Sequence, residues 1–206
     1  MSAAREVCAA AGWRVLRAQQ GENTELVLDI LNQAYRDKTA RGWTTEGHLI
    51  TGDRMSPAGL EAVFADASTR LLVLEETFPD ASSAPVPRGV IAITLVTAAE
   101  DRMGLAEGDG AAVELGKFAV HPEHQSKGYG RALMRAAEAV GQTDFAARFV
   151  QLHVLSCRPE IISWYIRNGF ELIPGVTADF PPPSVGEGVS IVSHPLIFHL
   201  YRKSLN

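Results

Sequence analysis

The chain has 206 residues, 46% hydrophobic and 21% charged, with a formal net charge of −5. That balance suits a single domain, residues 1–206, with a full apolar core, and the negative charge runs against nonspecific nucleic-acid binding. Two cysteines, Cys8 and Cys157, are too few and wrongly spaced for a disulfide framework or a metal site, so a reducing, cytoplasmic setting without a metal is expected. No apolar run reaches a membrane span, and the N-terminal M-S-A-A-R-E-V-C lacks a long export core.

Trp13 to Gln19 alternates as a strand. Asn23 or Thr24 could cap a helix with Leu26, Val27, Ile30, Leu31, Ala34 and Tyr35 on or near one face. A polar, aromatic loop follows from Arg41 to Arg54. Ser56-Pro57 then reads as an N-cap with proline in the first turn of a helix carrying Leu60, Val63 and Phe64. Arg70 to Glu75 is a strand, Pro79 to Pro87 a loop, and Arg88 to Thr97 an apolar and hence central strand. Residues 99–110 are acidic and contain glycine, as turns do. Val113 to Val120 is the next strand, and a helix with Leu133, Ala136, Ala137 and Val140 on one face ends at a stop at Gly141. Phe149 to Leu155 is a buried strand. A helix runs from Pro159 to a stop at Asn168-Gly169, and Phe170 to Ile173 is a short strand. A Pro- and Gly-rich loop from Pro174 to Pro195 leads to a last strand, Leu196 to Lys203.

Between the strand ending at Val120 and the helix lies H-P-E-H-Q-S-K-G-Y-G-R, His121 to Arg131. A strand that enters a Gly-bearing turn and then opens a helix aims free N–H groups and the positive end of the helix dipole at one point. An anion such as a phosphate suits that point. The spacing is Gln125-x-x-Gly128-x-Gly130, which is neither the nucleoside triphosphate loop nor the dinucleotide fingerprint. It resembles the Q/R-x-x-G-x-G/A signature of the GNAT superfamily of acyl-CoA-dependent N-acyltransferases. The element order β-α-α-β-β-β-α-β-α-β-β is similar to that family's from residue 13 to about 203, with the specific motifs in 111–170.

The resemblance implies a mixed, mostly antiparallel α/β sheet of six to seven strands flanked by helices, and acetyl-CoA as co-substrate. It places the pantetheine arm along Phe118, Ala119 and Val120, and the pyrophosphate on the loop formed by Gln125, Ser126, Lys127, Gly128, Tyr129, Gly130 and Arg131. Tyr165 lies in W-Y-I-R-N-G-F, similar to the family's Y-x-x-x-G-F, whose tyrosine often protonates the departing sulfur. Arg158 stands where many members carry an asparagine that meets the pantetheine, so that contact is not carried over.

Acyl transfer to an amine also needs a base, because free amines hold their proton up to about pH 10. Glu114 is the first candidate. It shares a face with Gly116, Phe118 and Val120 unless a bulge intervenes, and Gly116 is a plausible bulge site. His121 and His153 are weaker candidates. Trp43 and Glu46, in the loop that borders the family's acceptor pocket, would suit a cationic amine, whereas Arg54 would suit a carboxylate. The expected activity is acetyl transfer to a primary amine of a small molecule in a ternary complex. Protein or peptide N-acetylation and a silent acyl-CoA-binding module remain alternatives. No membrane or nucleic-acid partner is implied, and dimerisation is common in the family.

Overall fold

The computed structural model describes residues 6–37, 42–80, 82–96, 111–179, 190–191 and 196–205. The chain order begins β1 (Glu6–Ala10), β2 (Trp13–Arg17), α1 (Thr24–Arg36), β3 (Ile50–Thr51), α2 (Pro57–Ala65), β4 (Thr69–Glu76) and β5 (Val86–Val96). It continues with β6 (Ala112–Val120), α3 (Tyr129–Phe145), β7 (Phe149–Leu155), α4 (Pro159–Arg167), β8 (Glu171–Asp179), β9 (Ser190–Ile191) and β10 (Ile197–Ser204). The expected turn at 99–110 and most of the 174–195 loop lie outside the described residues.

Eight strands form one sheet in the order β1-β2-β4-β5-β6-β7-β10-β8, while β3 and β9 pair separately. The unbroken apolar run of β5 is explained by its central place, since Val90, Ile91, Ala92 and Ile93 are all buried. Every pairing in the large sheet is antiparallel except β6 with β7. Helix α3 covers one face, packing on Ile91, Ile93, Val113, Leu115, Val150 and Leu152, with Trp164 and Tyr165 of α4 against the same cluster. Helices α1 and α2 cover the other face through Val27, Ile30, Leu31 and Leu60 on Leu71, Val73, Val90 and Ala92.

The sheet has eight strands where six to seven were expected. The extra edge is β1, a hairpin partner of β2 turned at Gly12, which lies in the left-handed region at φ 87°. Its sequence, E-V-C-A-A, has no clear alternation to mark it. β8 extends beyond Ile173 to Asp179. Residues 173–176 oppose only Leu200 on β10, so Pro174 sits in a bulge on an edge strand and breaks no ladder. Ser56 caps α2 as expected, accepting the Gly59 N–H at 3.1 Å. Asn23 occupies the cap position of α1 at φ 53° but makes no side-chain cap bond.

Gly141 does not stop α3, which continues to Phe145 and ends at a left-handed Ala146. A Cβ on Gly141 would lie 2.9 Å from Val113 Cγ2, so the bare glycine lets the helix settle closely on β6. Gly141→Leu should overpack this contact and destabilise the fold by about 1–3 kcal/mol, despite leucine's higher helix propensity. Urea unfolding checks the sign. A gain in stability would mean that propensity, not packing, governs this position.

Candidate active site

β6 and β7 run parallel for only three pairs, Ala112↔Phe149, Val113↔Val150 and Glu114↔Gln151. Beyond Glu114 they part. The gap opens a cleft of about 1570 Å³ that reaches from the turn before α3 to the α1–α2 face of the sheet.

At one end lies the Gly-bearing turn. Ser126 and Gly128 both hold positive φ, 64° and 86°. This alternation curls successive N–H groups toward one side, as anion-binding nests do. Gly128 is the N-cap of α3 with no side-chain cap, and the first capping bond is Ala132 N–H to Gly128 O at 3.1 Å. Among the described residues no protein acceptor takes the N–H groups of Ser126 to Arg131. These free donors are the structural fit for a phosphate group. A Cβ on Gly128 would meet nothing within 4 Å, so its constraint is conformational, whereas one on Gly130 would make ordinary contacts to Trp164, Phe118 and Val120.

The side chains of the turn divide their tasks. Gln125 is fully engaged: its amide donates to Thr44 Oγ1 (2.9 Å) and Val120 O (3.1 Å), and its carbonyl accepts from Trp43 N–H (3.2 Å). It ties the 43–44 loop to the end of β6. Tyr129 turns into the core and donates to Glu76 Oε1 at 3.0 Å, leaving only its backbone toward the turn. Lys127 is exposed, 3.1 Å from His124 Nδ1, and Arg131 lines the cleft. His121 accepts from Glu123 N–H at 3.3 Å, a local bond. His121, Glu123 and His124 bring possible metal-ligand atoms within 4.8 Å of one another, with Lys127 Nζ 3.1 Å from His124 Nδ1.

Phe118 meets Trp164 in a tilted contact at 5.9 Å, and Trp164 also meets Trp43 at 6.5 Å and Tyr165 at 5.1 Å. Ala119 is buried on the opposite face, against α1 and α2. Tyr165 lines the cleft next to Tyr35, and burial pushes its phenol far above the usual range. The phenol therefore keeps its proton across the working range of an enzyme.

Glu114 also lines the cleft, with Oε1 3.1 Å from His153 Nδ1. Its expected facing needs correction. The bulge in β6 lies at Lys117 and Phe118, not Gly116, because these two residues oppose the single Ile91 between the pairs Val90↔Ala119 and Ala92↔Gly116. Lys117 adopts φ 48°. The extra residue reverses the alternation. Phe118 and Val120 join Val113 and Leu115 on the α3 face, and Glu114 and Gly116 face the other way.

Trp43 and Glu46 line the cleft as well. The Glu46 carboxylate is committed to two guanidinium groups, Arg36 at 3.1 Å and Arg158 at 3.7 Å. Arg158 is buried, bonds Glu160 at 2.5 Å, and leaves Nη1 without a hydrogen-bond partner among the described residues. Sequence reasoning did not single out Tyr35, Arg36, Lys117 or Trp164, all in the cleft lining. Tyr35 read only as part of the apolar face of α1, and nothing local to Lys117 marks it as a cleft residue.

The sheet is mixed, and its one parallel pair splays beside a helix N-terminus without a side-chain cap. Residues 81–172 match a family model described as an acetyltransferase (GNAT) domain. The matched segment runs from before β5 to the start of β8 and contains β6, the Gly-bearing turn, α3, β7 and α4. Its fold is similar to that of Arabidopsis thaliana NAA60 in complex with a bisubstrate analogue, with TM-score 0.67, 16% identity, and 94% and 99% of the two chains covered. It is also similar to the spermidine N-acetyltransferase of Vibrio cholerae in complex with CoA and spermine, with TM-score 0.60, 16% identity and coverage of 95% and 97%. A third similar structure is yncA, a putative acetyltransferase from Salmonella typhimurium with acetyl-CoA, with TM-score 0.59, 19% identity and coverage of 95% of each chain. At these identities the likeness is one of fold. No curated protein matches the chain in sequence.

The turn geometry separates its two glycines. Gly128→Val must force a branched residue into the left-handed region and should weaken CoA binding by about tenfold or more, whereas Gly130→Ala should change it by less than about threefold. Calorimetric titration with CoA checks both. Equal effects would contradict the assignment.

Proposed function

We propose that this protein transfers an acetyl group from acetyl-CoA to a primary amine of a small molecule, by direct attack within a ternary complex. The observation that carries this reading is the parting of β6 from β7, which runs from the free amides at Ser126–Arg131 to the Tyr165 phenol. In this reading those amides hold the pyrophosphate and the open edge of β6 receives the pantetheine amides. Phe118 and Trp164 wall the channel.

Glu114, oriented by His153, takes a proton from the acceptor ammonium. The amine nitrogen then bonds the thioester carbon, and the carbon–sulfur bond breaks. Tyr165 gives its proton to the departing sulfur as negative charge develops there, and the second proton lost by the nitrogen as the amide forms returns through solvent to the Tyr165 oxygen. Cys8 is not among the residues that line this cleft.

A small acceptor is supported over a peptide by the β3–β9 ladder. Ile50 pairs with Ile191 and Thr51 with Ser190, strapping the loop after α1 to the segment between β8 and β10 beside the acceptor end. Among the described residues, no helix is long and apolar enough to cross a membrane.

Tyr165→Phe should lower kcat by about a hundredfold while leaving acetyl-CoA affinity within about twofold. Thiol-release kinetics with calorimetry checks this, and an intact kcat would assign the acid elsewhere. Glu114→Gln should cost more near pH 7 than near pH 9.5, where more of the acceptor is already neutral. A pH–rate profile parallel to the parent's would remove Glu114 as base.

A further inference from the structure

Two cations in the acceptor part of the cleft have no carboxylate partner. Arg54 places its guanidinium 4.8 Å over the Tyr35 ring, and Lys117 lies largely buried on the β6 bulge. Among the described residues, neither forms an ion pair within 4 Å, and each is close enough to the other for their charges to repel. The nearby carboxylates are taken. Glu46 serves Arg36 and Arg158, Glu114 faces His153, and Asp66 accepts from Ser68 and Thr69. Asp53 and Asp179 sit exposed at the cleft rim.

The bulge is what brings Lys117 here. In an unbroken strand it would align with Val113 and Leu115 and point into the α3 core. Instead its electrostatic neighbours are Arg54, Glu114 and Asp66, all belonging to the acceptor side. A non-glycine residue in the left-handed region costs of order 1 kcal/mol, and such strain collects at functional sites. Burial and the Arg54 charge both lower the Lys117 pKa, so the ammonium is held at a cost that a bound anion would offset. Tyr35 locks the arrangement, donating to Phe118 O at 3.1 Å beneath the Arg54 guanidinium.

We infer that the acceptor is an amine that also carries a carboxylate, an amino acid or close analogue, with its carboxylate held between Arg54 and Lys117 and its amino group at Glu114. This rests on the acetyl-transfer reading above. It also reassigns recognition away from the Trp43–Glu46 pair, whose carboxylate is already neutralised. A free ammonium-only acceptor would meet two cations at this end of the cleft. A zwitterion supplies the missing negative charge and still presents an amine to the base.

The test is thiol release from acetyl-CoA with a panel of amino acids, their carboxamides and their decarboxylated amines, for example leucine, leucinamide and 3-methylbutylamine. The carboxamide has no anion yet a less basic amine, so a preference for the amino acid over it cannot come from basicity. The best amino acid should exceed both of its counterparts in kcat/KM by about tenfold or more. Arg54→Gln and Lys117→Asn should each shrink that ratio toward one, asparagine being chosen because it tolerates the left-handed region. Faster turnover of the decarboxylated amines, or a ratio that neither variant moves, overturns the inference while acetyl transfer stands. If no amine of any kind releases thiol, it is the acetyl-transfer reading that fails. Calorimetry with CoA present then decides the subsite, since N-acetyl-leucine should bind more tightly than N-acetyl-leucinamide, and equal or reversed affinity contradicts it.

Discussion

The separation of two parallel strands is the constraint on which the rest of this structure depends. β6 and β7 stay together for three residue pairs and then diverge, leaving the β7-facing edge of β6 without a strand partner. Unpaired backbone in an interior is costly, so the structure supports this edge from both sides. Tyr35 from α1 bonds the Phe118 carbonyl, and Gln125 bonds the Val120 carbonyl. Helix α3, seated closely through Gly141, fixes β6 from the opposite face and sets its own N-terminus at the mouth of the gap. The opening is therefore held apart by packing, and a ligand can complete the edge with its own amides.

Charge is arranged along this opening in sequence. Free N–H groups with Arg131 occupy one end, where a diphosphate suits them. The middle is aromatic, with Phe118, Trp164 and the proton-retaining phenol of Tyr165. The far end mixes paired charges, Glu114 with His153 and Glu46 with two arginines, with Arg54 and Lys117, which form no ion pair among the described residues.

Much of the scaffold was legible in the sequence because its signals are local. The Gly128 conformation, the Ser56-Pro57 cap, the helical face of α3 and the Asn168-Gly169 stop each follow from neighbouring residues. The Gly-bearing turn before α3 could be read for the same reason. What could not be read depends on partners far along the chain. β1 lacks alternation and is specified by its hairpin with β2. Gly141 looked like a terminator because its tight approach to Val113 leaves no local trace. The bulge falls on Lys117, a residue type that does not announce a left-handed backbone, and that single insertion reversed the facing of every residue after it. Gln125 belongs to the motif, yet its side chain serves the 43–44 loop, a role visible only when the two segments meet.

The central claim is that the amides of Ser126 to Arg131 receive the diphosphate of coenzyme A. Amide proton–nitrogen NMR spectra titrated with CoA, and separately with pantetheine lacking the diphosphate, test it most directly. CoA should shift the Gly128, Tyr129 and Gly130 resonances strongly, while pantetheine alone leaves them in place. Equal shifts with both ligands, or saturation of binding with those resonances unmoved, would contradict the account.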